Sequence, residues 1–183
     1  FHSKKYIDLA KITKASYCLT SENLKSFLPK KCNVIISNKI LLHTAIITKT
    51  FYPESVTDDY DDSVKDINQT EFKDKVKYGK NVLLGKNVKI GSNCLIGHNS
   101  IIEKNVSIGN NCSIGSNVII RNSLIKNNVS ILDGSIIGKK GFGFFPNKNS
   151  NIRYPQVGAV IIEDNVEIGC GSTIDRGSLS NTI

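Results

Sequence analysis

From Phe72 to Ile120 an apolar residue recurs at every sixth position: Phe72, Tyr78, Leu84, Ile90, Ile96, Ile102, Ile108, Ile114 and Ile120. Strands repeat every two residues and helices every 3.6, so neither accounts for a period of six. Gly follows the apolar position repeatedly (Gly79, Gly85, Gly91, Gly97, Gly109, Gly115), and a small or β-branched residue stands four after it (Val76, Val82, Val88, Cys94, Ser100, Val106, Cys112, Val118). One residue is dropped after Ile120, and the period resumes at Ile125, Ile131 and Ile137. It stops from about Gly138 to Gly158 and returns at Ile162, Ile168 and Ile174.

A hexad is too short to bury its own apolar residue, so hexads must stack, and short-period stacking is the mark of a parallel β-helix. Each hexad supplies one short strand and one corner, and three hexads close a triangular coil of eighteen residues, giving about five coils here. Stacked at the strand spacing of roughly 4.8 Å, the coils place Ile90 beneath Ile108 and Ile96 beneath Ile114. Full burial of each aliphatic side chain is worth about 1.5–3 kcal/mol. Gly is expected to serve the corner conformation that a Cβ opposes, and the small residue to pack beneath the corner. Cys94 and Cys112, eighteen apart, are expected to stack as a pair of free thiols.

The repeat spans only part of the chain. Residues 1–52 read as a partial small α/β domain: "YIDLAKITK" predicts a short helix, "ASYCLT" and "CNVIIS" predict strands, and "NKILLHTAIITKTF", with its Asn start, predicts a second helix. Residues 53–70 are acidic and polar and read as a linker. Residues 71–183 form the β-helix, with an inserted loop at 138–158. The fold class expected is therefore mainly β, a parallel β-helix of hexapeptide repeats preceded by an α/β fragment. With no Met in the chain, and with "SNTI" falling where the repeat would continue, the chain is expected to be truncated at both ends.

Composition narrows the function. No run approaches the roughly 18 apolar residues of a membrane span, and no signal peptide is legible at the start, which favours the cytoplasm. The net charge is +8, carried almost entirely by dispersed Lys without an Arg cluster or interleaved aromatics. That pattern speaks against nucleic acid and leaves an acidic protein as the partner that suits the charge. The five cysteines include no C-x-x-C pair, and free thiols are expected.

A bare prism is a scaffold, so the departures from the repeat carry the chemistry. The interruption "GKKGFGFFPNKNSNIRYPQVG" places Gly141 and Gly143 around Phe142, followed by Phe144 and Phe145. An aromatic, Gly-rich excursion does nothing to propagate a core, and such insertions build binding faces.

"GFGF" followed by "YPQVGAVIIEDNVEIGCGSTIDRGSL" closely resembles the UDP-3-O-(3-hydroxyacyl)glucosamine N-acyltransferases of lipid A biosynthesis, in which a G-F-G-Y/F loop precedes P-Q-x-G-x-V-x-I and T-I-D-R-G. "FHSKKY" resembles that family's F-x-x-N-x-K-Y uridine-binding segment, so the motifs are spread over essentially the whole chain. The resemblance implies a left-handed β-helix, against the usual crossover hand, and a homotrimer with sites between neighbouring prisms. It implies substrate-binding roles for Ser3, Tyr6, Gly141, Phe142, Gly143, Phe144, Asp175 and Arg176. Ser3 stands at the family's Asn, Lys140 replaces an Asp common before G-F-G, and Phe144 takes a place often held by Tyr. Asp175 and Arg176 could equally brace a corner as a pair.

The implied reaction moves a 3-hydroxyacyl chain from the phosphopantetheine of acyl carrier protein to the 2-amine of UDP-3-O-acylglucosamine, with no metal and no other cofactor. It needs a base for the amine, typically a His, and an N–H donor for the thioester oxyanion. In the family that His lies about one coil beyond T-I-D-R-G, which here falls past Ile183, so no catalytic residue is expected within the chain. His98 reads as a solvated corner residue, His43 as part of a helix, and His2 as part of the nucleotide segment. The competing readings are a hexapeptide acetyltransferase using acetyl-CoA on a nucleotide amino sugar, and a non-catalytic β-helical binding protein.

Overall fold

In the computed structural model, which describes residues 1–57, 59–146 and 151–183, the hexads form three columns of two-residue strands. One column stacks Lys77–Tyr78, Leu95–Ile96, Ser113–Ile114, Ser130–Ile131 and Glu167–Ile168, all parallel. The second runs from Leu83–Leu84 through Ile101–Ile102 and Ile119–Ile120 to Ile136–Lys140 and Thr173–Arg176. The third stacks Lys89–Ile90, Ser107–Ile108, Ser123–Ile125 and Val160–Ile162. The parallel β-helix expected from the period is what forms. Ile90 pairs with Ile108 and Ile96 with Ile114, as eighteen-residue coils require.

The interior of the prism is an aliphatic column. Ile102, Ile114, Ile120, Ile131 and Ile137 are fully buried, as are Val82, Val106 and Val118 beneath the corners. Where polar residues enter the column they are satisfied: the Ser100 hydroxyl donates to the Gly115 carbonyl at 2.7 Å and accepts from the Val118 N–H at 3.1 Å. Cys94 and Cys112 are buried free thiols, each donating to a carbonyl of the adjoining corner, Gly109 and Lys126 respectively, at 3.1 Å.

The corners correct the expected role of glycine. Every described non-glycine residue in the left-handed region is an Asn, from Asn81 through Asn128 to Asn165, with φ between 42° and 63°. Asn tolerates that region because its short amide bonds locally, and the amides also link coil to coil: Asn93 donates to Asn111, Asn111 to Asn128 and Asn128 to Asn165, at 3.1–3.2 Å. The repeat glycines stay out of the positive-φ region. They are required by close approach instead, since a Cβ on Gly85 would stand 2.3 Å from the Lys104 nitrogen and one on Gly97 2.5 Å from the Gly115 carbonyl carbon.

The acidic segment expected as a linker is part of the β-helical unit, which comprises residues 54–144 and 154–183. Lys65–Asp66 pairs antiparallel with Leu83–Leu84, and Ile67 is buried. At most corners a polar side chain of one coil accepts an N–H of the coil before it, as Asn110 does for Ser92 and His98 for Lys80. Lysine and arginine side chains cannot accept, and one coil after Lys86 and Lys104 stand Lys104 and Arg121, so the segment supplies the acceptors: Lys86 N–H donates to Ser63 Oγ at 3.0 Å and Lys104 N–H to Asp61 Oδ2 at 2.6 Å. The acidic residues lie along a basic corner of the prism, which a reading of composition alone takes for a solvated connector.

The other unit comprises residues 1–53 and 145–153. Its helices are α1, Ile7–Lys11, and α2, Ile40–Phe51, and its strands Tyr17–Thr20 and Asn33–Ile36 pair in parallel. These are the elements expected, except that Asn38 does not cap α2; the Ser37 hydroxyl accepts the Lys39 N–H at 2.9 Å. Its buried residues include Ala10, Thr20, Leu24, Cys32 and Ala45.

Candidate functional site

The insertion leaves the prism at Gly138, whose φ of +80° and whose closeness to the Arg121 carbonyl, 1.7 Å from a Cβ placed there, admit only glycine. The ladder slips at this point and then continues, pairing Lys139 with Asp175 and Lys140 with Arg176. Two strands that elsewhere end after the aliphatic residue are thereby prolonged together, and their extension forms the base of the loop. Stacked corner groups beyond the insertion lie 37 residues apart, where 17 or 18 separate them before it.

Above that base stand Gly141, Phe142, Gly143 and Phe144. Phe142 is 92% exposed, and its ring meets Phe144 edge to face at 4.9 Å. The returning chain is tied to the outgoing one by the Tyr154 N–H, which donates to the Gly143 carbonyl at 2.8 Å. A Cβ on Gly141 would lie 3.5 Å from Gln156 Oε1 and 3.6 Å from Asp175 Oδ2. Gln156 and Asp175 thus stand at ordinary contact distance from position 141, in the loop that also carries the exposed Phe142. Residues 147–150 of the insertion lie outside the described residues.

Asp175 and Arg176 are successive residues of one strand, and Asp175 is exposed while Arg176 is buried. No ion pair joins them among the described residues, so the corner-brace alternative does not hold. Burial pushes the Arg176 guanidinium below its ordinary pKa, and the charge of Glu54 opposes that shift. Burial also raises the Tyr154 hydroxyl. Ser55 reaches the same corner, its carbonyl accepting the Gln156 N–H at 3.3 Å. Neither the Ser55 hydroxyl nor the Arg176 Nε has a hydrogen-bond partner among the described residues.

The structure thus brings together Gly141, Phe142, Gly143, Phe144, Asp175 and Arg176, and adds Tyr154, Gln156 and Ser55. Of these additions, Gln156 stood within the legible P-Q-x-G motif; Ser55 carried no sequence signal, because it meets the corner from a distant part of the chain. Ser3 and Tyr6 belong to the other unit. There the Ser3 hydroxyl accepts the Lys5 N–H at 3.3 Å and caps the turn Lys4–Tyr6. Tyr6 packs on His2 with centroids 5.6 Å apart and lines a cleft of about 210 Å³ with Phe1, Leu9 and Cys18. A larger cleft of about 500 Å³ in that unit is walled by His2, Lys39, Leu42 and Phe145.

His98 and His43 hold structural positions. His98 Nδ1 accepts the Lys80 N–H at 2.8 Å, so its tautomer carries the proton on Nε2, and His43 Nδ1 lies 2.8 Å from the Ser37 hydroxyl within the first unit. Among the described residues no three His, Cys, Asp or Glu side chains converge in a manner that could hold a metal ion.

Comparison with known proteins gives the same repeat and the same relatives as the motifs. Residues 87–122 match the family described as bacterial transferase hexapeptide (six repeats). A segment of 60 residues, 33% of this chain, is 45% identical to the UDP-3-O-acylglucosamine N-acyltransferase of Azorhizobium caulinodans. Similarity to UDP-3-O-acylglucosamine N-acyltransferase 2 of Legionella pneumophila is 50% over 64 residues, 35% of the chain. The enzyme of Rhizobium johnstonii with the first of these names is 48% identical over 60 residues, again 33% of the chain. The aligned parts are 17–19% of those relatives' own lengths. The resemblance read from the motifs is borne out, over about a third of the chain rather than all of it.

Proposed function

We propose that this chain belongs to an N-acyltransferase that transfers a 3-hydroxyacyl group from acyl carrier protein to the 2-amine of UDP-3-O-acylglucosamine, in lipid A biosynthesis. The observation that carries the reading is the closeness of Asp175 to Gly141 in the loop that presents the Phe142–Phe144 pair, on a hexapeptide prism similar to enzymes of that name. An exposed aromatic pair suits an acyl chain, and a carboxylate facing bare backbone suits the hydroxyls or amine of a sugar.

In this reaction the amine nitrogen attacks the thioester carbonyl, the C–N bond forms, the C–S bond breaks, and the carrier thiol leaves with the proton that the base has taken from the amine. The base that the resemblance implies is a His, and none of His2, His43 and His98 is given that role here. Within this chain Asp175 holds the amino sugar, Phe142 and Phe144 flank the acyl chain, and Ser3 and Tyr6 serve the uridine. The phosphopantetheine of the carrier delivers the acyl group, and no metal or further cofactor takes part. The net charge of +8 suits an acidic carrier protein. The reading places the enzyme in the cytoplasm as a homotrimer; among the described residues no helix is long and apolar enough to cross a membrane.

The test is to mix the full-length gene product with UDP-3-O-acylglucosamine and 3-hydroxyacyl carrier protein, with acetyl-CoA as a parallel donor, and follow the sugar nucleotide by mass spectrometry. A mass gain of one hydroxyacyl group is expected. Acetylation alone would move the protein to the short-chain transferases, and transfer from neither donor would leave a binding scaffold.

A further inference from the structure

The outgoing leg of the loop is laddered on one side. Lys139 and Lys140 pair with Asp175 and Arg176, but on the other side the pairing with Ile119–Ile120 ends at Ile137. A strand extension held along one edge is a weak root for the aromatic pair it carries.

The acidic segment supplies further contacts, and it reaches both legs. Lys140 Nζ, on the outgoing leg, donates to the Thr57 carbonyl. On the returning leg the Gln156 N–H donates to the Ser55 carbonyl at 3.3 Å. Asp59 shares a polar cavity of about 50 Å³ with Arg121, Lys139 and Lys140, at the point where Gly138 turns the chain outward.

The segment has its own anchorage on the prism. Asp61 accepts the Lys104 N–H at 2.6 Å, Ser63 accepts the Lys86 N–H at 3.0 Å, and Ile67 is buried in the core. It is therefore fixed by contacts that do not involve the loop. Its acceptors toward the loop are backbone carbonyls, which any sequence presents, so on the outgoing leg the donor side chain of Lys140 decides whether the tie forms.

We propose that residues 54–57 are a positioning strut for the candidate site, with Lys140 the side chain that fastens the outgoing leg to it. Lys140 is a positioning residue: it acts through the loop that presents Phe142 and Phe144 near Asp175. A loop already held in place costs less to order when substrate binds. The tie rests on the geometry alone, and its kinetic consequence rests on the proposed N-acyl transfer.

Two variants of the full-length protein test the strut. Lys140→Met keeps the aliphatic stem and removes the donor, whereas Lys140→Arg keeps a donor. The bond is exposed to solvent, so thermal midpoints should scarcely move. Hydrogen exchange is read by mass spectrometry over residues 154–158, with residues 112–120 of the prism as internal control. In Lys140→Met the returning leg should exchange about fivefold faster or more, the factor for one lost hydrogen bond, with the control unchanged and Lys140→Arg close to wild type. In steady-state acyl transfer, KM for UDP-3-O-acylglucosamine should rise by a similar factor in Lys140→Met while kcat holds, as for loss of binding shared by ground and transition states. Lys140→Arg should restore KM.

Unchanged exchange in Lys140→Met overturns the proposal. So does a KM that stays at the wild-type value, with or without a fall in kcat, because a lower kcat alone marks a smaller active fraction. Equal losses in the Met and Arg variants overturn it as well. Faster exchange in Lys140→Met, in a wild-type protein that transfers no acyl group, keeps the strut and removes the reaction.

Discussion

The Asp61 carboxylate accepts the backbone N–H of Lys104, 43 residues later in the chain, at 2.6 Å. Its other oxygen takes the Ser63 hydroxyl at 2.7 Å and the Ser63 N–H at 3.0 Å. Asp61 thereby supplies the acceptor for this corner N–H, a role that the basic side chain one coil later cannot take, and it fixes the acidic segment along the prism.

Burial works against ionisation of Asp61, but the bonds from Ser63 and Lys104 outweigh it and hold its pKa below the ordinary carboxylate value. A carboxylate depressed in the folded state adds stability that is fully present above its unfolded pKa, about 3.9, and is lost as pH falls through the folded value. Thermal melts should therefore show a steeper acid limb below about pH 4 in the wild type than in Asp61→Asn. At neutral pH, Asp61→Ala should cost about 1–3 kcal/mol, the range for a buried donor left unsatisfied.

Asn111 sits at φ 56° in the amide ladder. Asn111→Gly keeps the conformation and loses only the ladder bonds, whereas Asn111→Val forces a β-branched residue into the left-handed region at about 1–2 kcal/mol or more. Denaturant midpoints should rank wild type, then Gly, then Val. Equal midpoints for the two variants would show that the ladder, and not the backbone, sets the requirement.

Gly85 and Gly171 separate the two uses of glycine. Gly85→Ala drives a Cβ to 2.3 Å from the Lys104 nitrogen, while Gly171→Ala meets nothing within 4 Å but is strained by a φ of +67°. Ala at 85 should part neighbouring coils and exceed the cost at 171, which should stay near 1–2 kcal/mol. In the core, Ile114→Ala, from a fully buried position, should cost about 2–5 kcal/mol.

The thiols should divide by burial. Cys170 is exposed, whereas Cys94 and Cys112 are buried and burial raises the Cys112 thiol, so the thiolate that reacts is scarce there. Native-state titration with a thiol reagent should modify Cys170 first and leave Cys94 and Cys112 until the protein is unfolded, as read by peptide mass spectrometry.

Periodicity revealed the prism because every hexad repeats one local constraint, and stacking follows from the eighteen-residue coil. The loop was legible for the opposite reason: Gly141–Phe144 breaks the pattern. The role of Asn was missed because a polar corner residue is equally compatible with simple solvation; only backbone dihedrals separate the two. The acidic strap was missed because its partners, Lys86 and Lys104, lie 23 and 43 residues from the residues that serve them. Ser55 and the unpartnered Arg176 Nε likewise depend on which distant segments share a corner, and no local motif records that.

The most direct test of the account is the rate of N-acyl transfer, with hydroxyacyl carrier protein as donor, for the full-length protein and its Asp175→Ala and Phe142→Ala variants. Both positions are exposed, so thermal midpoints should move by no more than about 0.5 kcal/mol equivalent. The account predicts that kcat/KM falls about tenfold or more in each, a loss of about 1.4 kcal/mol of transition-state stabilisation. Undiminished transfer in both variants would show that the loop corner is not where the sugar nucleotide and acyl chain meet.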